Sequence, residues 1–209
     1  MMHGTIGVNS EQSKGSNFWF TLPLQITESQ TIDDYSEEKA KLVGKKITYI
    51  ENNAVAAHTF GNHFTQLGLT KNIISVPIDI EQMSQRIDFV IAELKKLGSL
   101  DVICLSHNTQ TKVDVVGIAE IIKNDATLKD VPLILMISIY DKIRIPQNKL
   151  ELFSHIVIKP IKKARLLLAL FAVFGIEYFK EEEEVSQIKE LSSDRHLRIL
   201  LCEDNEVNM

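Results

Sequence analysis

This sequence of 209 residues is poor in long apolar segments, in basic surface and in cysteine. No run reaches the roughly 18 apolar residues that a membrane helix needs, and the longest, 164–176, is too short to span a bilayer. The first residues have neither a basic region nor an apolar core, so no signal peptide is predicted. We therefore expect a cytoplasmic segment that makes no membrane contact.

The cysteines and the charge balance exclude further classes. Cys104 and Cys202 each lie inside an apolar run, which favours buried and reduced thiols. The net charge of −5 offers no basic surface for nucleic acid. A glycine-rich phosphate loop is also lacking, because Gly4 and Gly7 stand in a predicted hairpin.

The first 24 residues predict a β-hairpin, with one strand at 5–8 and a second, rich in aromatic residues, at 17–24. An isolated hairpin is only marginally stable in water, so we expect this one to be the edge of a larger domain. Residues 25–43 are polar and acidic with almost no periodicity. They predict a linker with a short helix at 36–41.

Residues 44–175 alternate between predicted strands and helices. The strands are predicted at 46–51, 72–76, 100–105, 131–137 and 153–158. The helices are predicted at 53–67, 81–97, 113–123 and 163–174, whereas 139–150 stays ambiguous because Pro146 interrupts it. The alternation predicts an α/β domain with a doubly wound, parallel, five-stranded sheet of order 2-1-3-4-5, which is a flavodoxin-like fold.

The last part of the sequence predicts a linker followed by the start of another domain. Residues 176–196 are polar and include the acidic run 181–184, which predicts a solvated linker. Residues 197–209 open a new strand that ends in Glu203 and Asp204. A strand without partners is not a domain, so we expect the sequence to be a piece of a longer protein.

Three stretches together resemble hybrid sensor histidine kinases of two-component phosphorelays. Residues 4–8 and the run Lys-Gly-Ser-Asn-Phe-Trp-Phe-Thr-Leu-Pro-Leu at 14–24 resemble the last two strands of the family's ATP-binding domain. Residues 44–175 resemble a receiver domain, and Arg-Ile-Leu-Leu-Cys-Glu-Asp-Asn at 198–205 resembles the first strand of a second receiver.

The resemblance implies a parent histidine protein kinase anchored in the bacterial inner membrane. Its ATP site and phosphoacceptor histidine would lie upstream, so this segment itself would be no enzyme and would carry no cofactor. ATP would belong to the kinase core, and Mg²⁺ to the complete second receiver through Glu203 and Asp204.

The resemblance also implies the residues of a receiver pocket. A working receiver has two acids after the first strand and a phosphoacceptor aspartate after the third. It also has a hydroxyl after the fourth strand and a lysine after the fifth. The matching positions hold Glu51, Asn52, Ser106, either Ile137 or Ser138, and Lys159. These positions would supply one carboxylate where a working receiver has three. We therefore expect a degenerate pocket with weak Mg²⁺ affinity and no phosphoacceptor.

Two further kinds of site, a nucleophile pair and a metal pair, are not favoured by the spacing of the residues that would form them. Ser106 and His107 could form a nucleophile pair, but adjacent residues of a strand point to opposite faces. His58 and His63, five positions apart on a predicted helix, do not share a face for a metal pair. Lys159 is either a surface lysine or a lysine with a retained structural role.

The first functional hypothesis is a non-phosphorylatable, receiver-like regulatory and interaction module. The helix at 163–174 is apolar nearly all round, so Leu166, Leu170 and Val173 are predicted to form an outer interface. Its partner would be the kinase core, the second receiver or a second copy in a homodimer; the alternative is that the acidic linker covers this helix. A histidine phosphotransfer domain or a response regulator would act downstream.

The second functional hypothesis is a pseudo-receiver that senses a small ligand, such as a cyclic dinucleotide, and modulates the kinase. An arginine-rich surface would favour it. Residues 44–175 contain only three arginines, Arg86, Arg144 and Arg165.

Overall fold

The computed structural model describes residues 3–24, 35–77, 79–108 and 113–178. The chain divides into two compact units, Met1–Asp34 and Tyr35–Met209. None of the helices in the described ranges is long and apolar enough to cross a membrane. The predicted second-receiver strand, with Glu203 and Asp204, lies outside the described residues, as does the acidic run 181–184.

The first unit contains the predicted β-hairpin, with longer pairing than the sequence predicts. Strands β1 (Thr5–Glu11) and β2 (Gly15–Thr21) pair antiparallel, from Thr5 opposite Thr21 to Glu11 opposite Gly15. Gly7 lies opposite Trp19, and a Cβ atom on Gly7 would come within 2.3 Å of the indole ring. Glycine therefore lets the large ring lie flat across the neighbouring strand.

The second unit is built on the predicted five-stranded sheet. Its strands are β3 (Lys46–Ile50), β4 (Thr70–Ile74), β5 (Val102–Ser106), β6 (Leu133–Ser138) and β7 (His155–Lys159). All are parallel, in the order β4-β3-β5-β6-β7. Counted from β3, this is the predicted order 2-1-3-4-5, which is confirmed.

The helices cover both faces of this sheet. They are α1 (Ser36–Ala40), α2 (Ala54–Gln66), α3 (Met83–Lys96), α4 (Val115–Asn124), α5 (Ile139–Arg144), α6 (Gln147–Leu150) and α7 (Lys163–Phe174). The ambiguous stretch 139–150 is two short helices separated at Pro146. Pro146 has no amide hydrogen to continue a helix, which explains the break.

Each face of the sheet has its own apolar core. The side chains of Ile103 and Leu105 face the core that contains α3 and α4, and those of Val102 and Cys104 face the core that contains α2 and α7. This follows from the two-residue period of a strand. A strand buried on both faces is expected to be apolar, and β5 is apolar from Val102 to Leu105 and ends in the buried Ser106.

The predicted outer interface on α7 is wrong for two of its three residues. Leu166 is 1% exposed and Leu170 is 0% exposed, and both lie in the core. Val173 is partly buried against the same core. The helix is apolar nearly all round because the sheet covers one side of it and the flanking segments of the chain cover another.

Those flanking segments extend the second unit beyond the predicted boundaries at residues 44 and 175. Leu42 is fully buried in the same core as α7. The Tyr35 ring packs edge-on against Phe171, at 5.8 Å between centroids, and against Tyr178 at 5.8 Å. Residues 35–43 and 176–178, predicted as parts of linkers, therefore pack as parts of the domain.

Candidate functional site: the carboxyl end of the parallel sheet

The predicted pocket residues converge where the parallel strands end. Glu51 follows β3, Ser106 closes β5, Ser138 closes β6 and Lys159 closes β7. In an open, doubly wound sheet this edge is where ligands bind, because loops leave it in opposite directions on either side of the first strand.

Glu51 is buried, at 3% exposed, and both of its carboxylate oxygens are already hydrogen-bonded. Its Oε2 accepts from the Tyr49 hydroxyl at 2.9 Å and from the Ser106 hydroxyl at 2.5 Å. Its Oε1 accepts from the backbone N–H of Asn53 at 2.8 Å. A buried carboxylate needs such donors, since burial without them costs several kcal/mol.

Lys159 lies on the other side of Ser106. Its Nζ donates to Ser106 Oγ at 2.8 Å and to the backbone carbonyl of His107 at 2.8 Å. Burial lowers the pKa of Lys159, and the nearby carboxylates of Glu51 and Asp141 oppose that shift. Of the two roles considered for this lysine, the structural one fits these contacts.

The resulting chain of side chains runs Tyr49–Glu51–Ser106–Lys159, and we call it the pocket chain. It joins the ends of β3, β5 and β7. Ser106, 4% exposed, is its centre: the hydroxyl donates to a carboxylate and accepts from an ammonium group. Charge-assisted hydrogen bonds of this kind are stronger than neutral ones.

Asn52 lies outside the pocket chain. Its Nδ2 donates to the carbonyl of Val76 at 3.1 Å, and its Oδ1 accepts from the N–H of Val76 at 2.9 Å. The side chain thus pairs with the backbone after β4 in the way a neighbouring strand would.

Ser138, not Ile137, is the hydroxyl residue at the end of β6, since Ile137 is fully buried in the core. The Ser138 Oγ accepts from the N–H of Asp141 at 3.1 Å and donates to the Asp141 carboxylate at 2.7 Å. Ser138 is therefore the N-cap of α5, and both of these bonds engage its own helix.

Among the hydrogen bonds of the described residues, none joins the side chains of His107 and Ser106. Its Nε2 lies 3.9 Å from the Asp141 carboxylate, and its Nδ1 is buried without a partner. Burial lowers the pKa of His107, with Lys159 acting in the same direction and Asp141 and Asp114 against it. Burial thus favours the neutral form of this imidazole at the border of the pocket.

The residues of this pocket do not fit Mg²⁺. The ion takes oxygen ligands in near-octahedral geometry and is held in proteins mainly by carboxylates. Here Glu51 is the one carboxylate of the pocket chain, and three protein donors occupy its oxygens, while the nearby Asp141 carboxylate accepts from Ser138. Within the described ranges, no group of three or more His, Cys, Asp or Glu side chains is placed to hold a metal ion.

Sequence reasoning missed Tyr49. A usable signal was present, because residues two apart on a strand share a face, which places Tyr49 beside Glu51. The backbone N–H of Asn53, which completes the set of donors to Glu51, has no such sequence signal.

Comparison with known proteins finds a match at the level of the fold. No family model matches the chain, and no curated protein matches it. A sensor protein from Polaromonas sp. JS666 is similar in structure, with a TM-score of 0.51 and 14% identity, over 64% of this chain and 98% of that one. A putative response regulator from Chloroflexus aurantiacus J-10-fl gives a TM-score of 0.51 and 10% identity, over 63% and 98%.

A response regulator receiver domain (CheY-like) from Methylobacillus flagellatus is similar as well, with a TM-score of 0.50 and 18% identity, over 62% of this chain and 98% of that one. Taken with the strand order, these likenesses show that the second unit has the CheY-like receiver fold.

Proposed function

We propose that residues 35–178 are a regulatory module of two-component signalling that accepts no phosphoryl group. One observation carries the proposal. The residue at the end of the third strand of the receiver fold, where the family has its phosphoacceptor, is Ser106, and its hydroxyl is held between Glu51 and Lys159. A serine hydroxyl is protonated at neutral pH and needs a free base to become a nucleophile. Here the adjacent carboxylate is buried and already accepts three hydrogen bonds.

We further propose that the module belongs to a hybrid sensor histidine kinase, in which it acts through its fold and surface. The support is the hairpin sequence Gly-Ser-Asn-Phe-Trp-Phe-Thr-Leu-Pro-Leu at 15–24, which resembles the end of a kinase ATP-binding domain, together with the order of the segments. The pocket chain supports a constitutive role, because hydrogen bonds within the protein hold together strand ends that a metal and a phosphoryl group join in a working receiver.

The experiment begins with the reading frame on both sides of this sequence. We expect a phosphoacceptor histidine and ATP-binding boxes upstream and an acceptor aspartate downstream of Glu203 and Asp204. The encoded full-length protein is then compared with a variant in which a short glycine-serine linker replaces residues 36–177. This deletion is practicable because the rings of Tyr35 and Tyr178 are in contact, so a short linker can bridge the gap.

Deletion of the module should change the rate of autophosphorylation at least severalfold, because a bias of ~1.4 kcal/mol on a two-state kinase is tenfold in population. An unchanged rate in a folded variant would mean that the module only separates its neighbouring domains and does not regulate the kinase. If the reading frame upstream encodes no ATP-binding boxes of a histidine kinase, the proposal that the module belongs to a hybrid kinase is wrong.

A further inference from the structure

Tyr49 is placed to control what Glu51 can bind. The residue is fully buried on β3, two positions before Glu51, which directly follows the strand. Its hydroxyl donates to Glu51 Oε2 at 2.9 Å. Its ring packs edge-on against Phe60, at 6.0 Å between centroids, and against Phe64 at 5.8 Å. Two aromatic side chains of α2 thus pack against the phenol ring and hold it in place.

The Tyr49 hydroxyl is the donor in this bond. A phenol is protonated at neutral pH, and an ionised carboxylate can only accept, so the proton of the hydroxyl points toward Glu51 Oε2.

The hydrogen bonds to Glu51 leave few of its oxygen lone pairs available to a cation. Oε2 accepts from both Tyr49 and Ser106, and Oε1 accepts from a backbone N–H. A ligating carboxylate must direct a lone pair at the metal, and each donor at the same oxygen withdraws charge that would otherwise reach the ion.

We infer that Tyr49 is a third determinant, beside Asn52 and Ser106, that closes this pocket to a divalent cation. The inference rests on the proposed function, in that it assumes that the pocket is a receiver pocket without its chemistry. It implies that aspartates at positions 52 and 106 do not by themselves recreate a tight cation site, because the phenol still holds one oxygen of Glu51.

The substitution that tests this is Tyr49→Phe, since it removes the hydroxyl and keeps the ring against α2. It is made in a chain that also carries Asn52→Asp and Ser106→Asp. The probe is Mn²⁺, which takes the same oxygen ligands as Mg²⁺. Free Mn²⁺ is measured by electron paramagnetic resonance, and far-UV circular dichroism confirms that each variant is folded.

We expect the dissociation constant for Mn²⁺ to be about tenfold lower with phenylalanine than with tyrosine at position 49, because Glu51 then no longer has to give up a hydrogen bond to a charged acceptor in order to bind the ion. The matched control is Tyr140→Phe in the same background, because Tyr140 is 77% exposed on α5; it should leave the constant unchanged.

Dissociation constants that agree within about twofold would overturn the inference, as would weaker binding with phenylalanine. The same holds if none of the variants binds Mn²⁺. If the double aspartate chain does not fold, the comparison is made between Ser106→Asp alone and Ser106→Asp with Tyr49→Phe, with the same expected direction. These outcomes are independent of the autophosphorylation rate, so failure of the inference and failure of the proposed function can be told apart.

Discussion

At the scale of residues, Ser106 has a structural role that its identity alone does not reveal. It connects a buried carboxylate to a half-buried ammonium group, and neither of its two hydrogen bonds leads to solvent. Removing one member of such a network leaves its neighbours without partners in a low-dielectric environment, which costs more than the bond itself contributes.

A double-mutant cycle between Ser106→Ala and Lys159→Met should measure this connection. We expect each single change to lower the free energy of unfolding by about 1–3 kcal/mol, and the two to couple by about 1–2 kcal/mol. Far-UV circular dichroism in urea is the suitable probe. The one tryptophan, Trp19, lies in the hairpin unit, whereas the described helices lie in the other unit.

The control for this cycle is Ser84→Ala with Lys159→Met, because Ser84 is exposed on α3. That pair should show no coupling. A coupling near zero for Ser106 and Lys159 as well would mean that the pocket chain contributes nothing as a unit.

At the scale of elements, α7 shows why an apolar helix does not by itself indicate an interface. Its sequence has more apolar positions than one sheet-facing stripe requires, which favoured an outer contact at Leu166 and Leu170. The structure covers that surplus with segments that look like linkers in the sequence: Leu42 is fully buried, and the rings of Tyr35 and Tyr178 meet at Phe171.

Leu170→Arg should therefore unfold the domain rather than disturb a surface. The change places an unpaired charge at a position that is fully buried, at a cost of roughly 3–5 kcal/mol, which is a large part of the usual stability of a domain. Ala172→Arg, at an exposed position of the same helix, should shift the free energy of unfolding by no more than about 0.5 kcal/mol. Urea titrations of the two variants make the comparison; equal and small effects would place Leu170 on the surface.

At the scale of the whole molecule, the sequence predicted the sheet and its strand order. Strands and helices alternate along 44–175, and parallel strands joined by helices admit few arrangements. The location of the pocket residues was predictable for a related reason, since the carboxyl ends of parallel strands meet at one edge. The resemblance to receivers then indicated which strand ends to compare.

The bonds inside the pocket were not predictable in the same way. Asn52 could have faced the pocket, but it pairs with the backbone of Val76; Ser138 could have faced Ser106, but it caps α5. Both choices depend on competing hydrogen-bond partners that come together only after folding. Helix propensity and hydrophobic periodicity carry no information about them.

The second unit has the receiver fold, and we propose that it does not carry out the phosphoryl chemistry of a working receiver. The most direct test is incubation of the chain with Mg²⁺ and ³²P-labelled acetyl phosphate, beside a receiver domain with an intact acceptor aspartate as the positive control. We expect no label on residues 35–178, because Ser106 is engaged by Glu51 and Lys159. Hydroxylamine-sensitive label, or acid-stable label on Ser106, mapped to 35–178 by proteolysis would contradict the account.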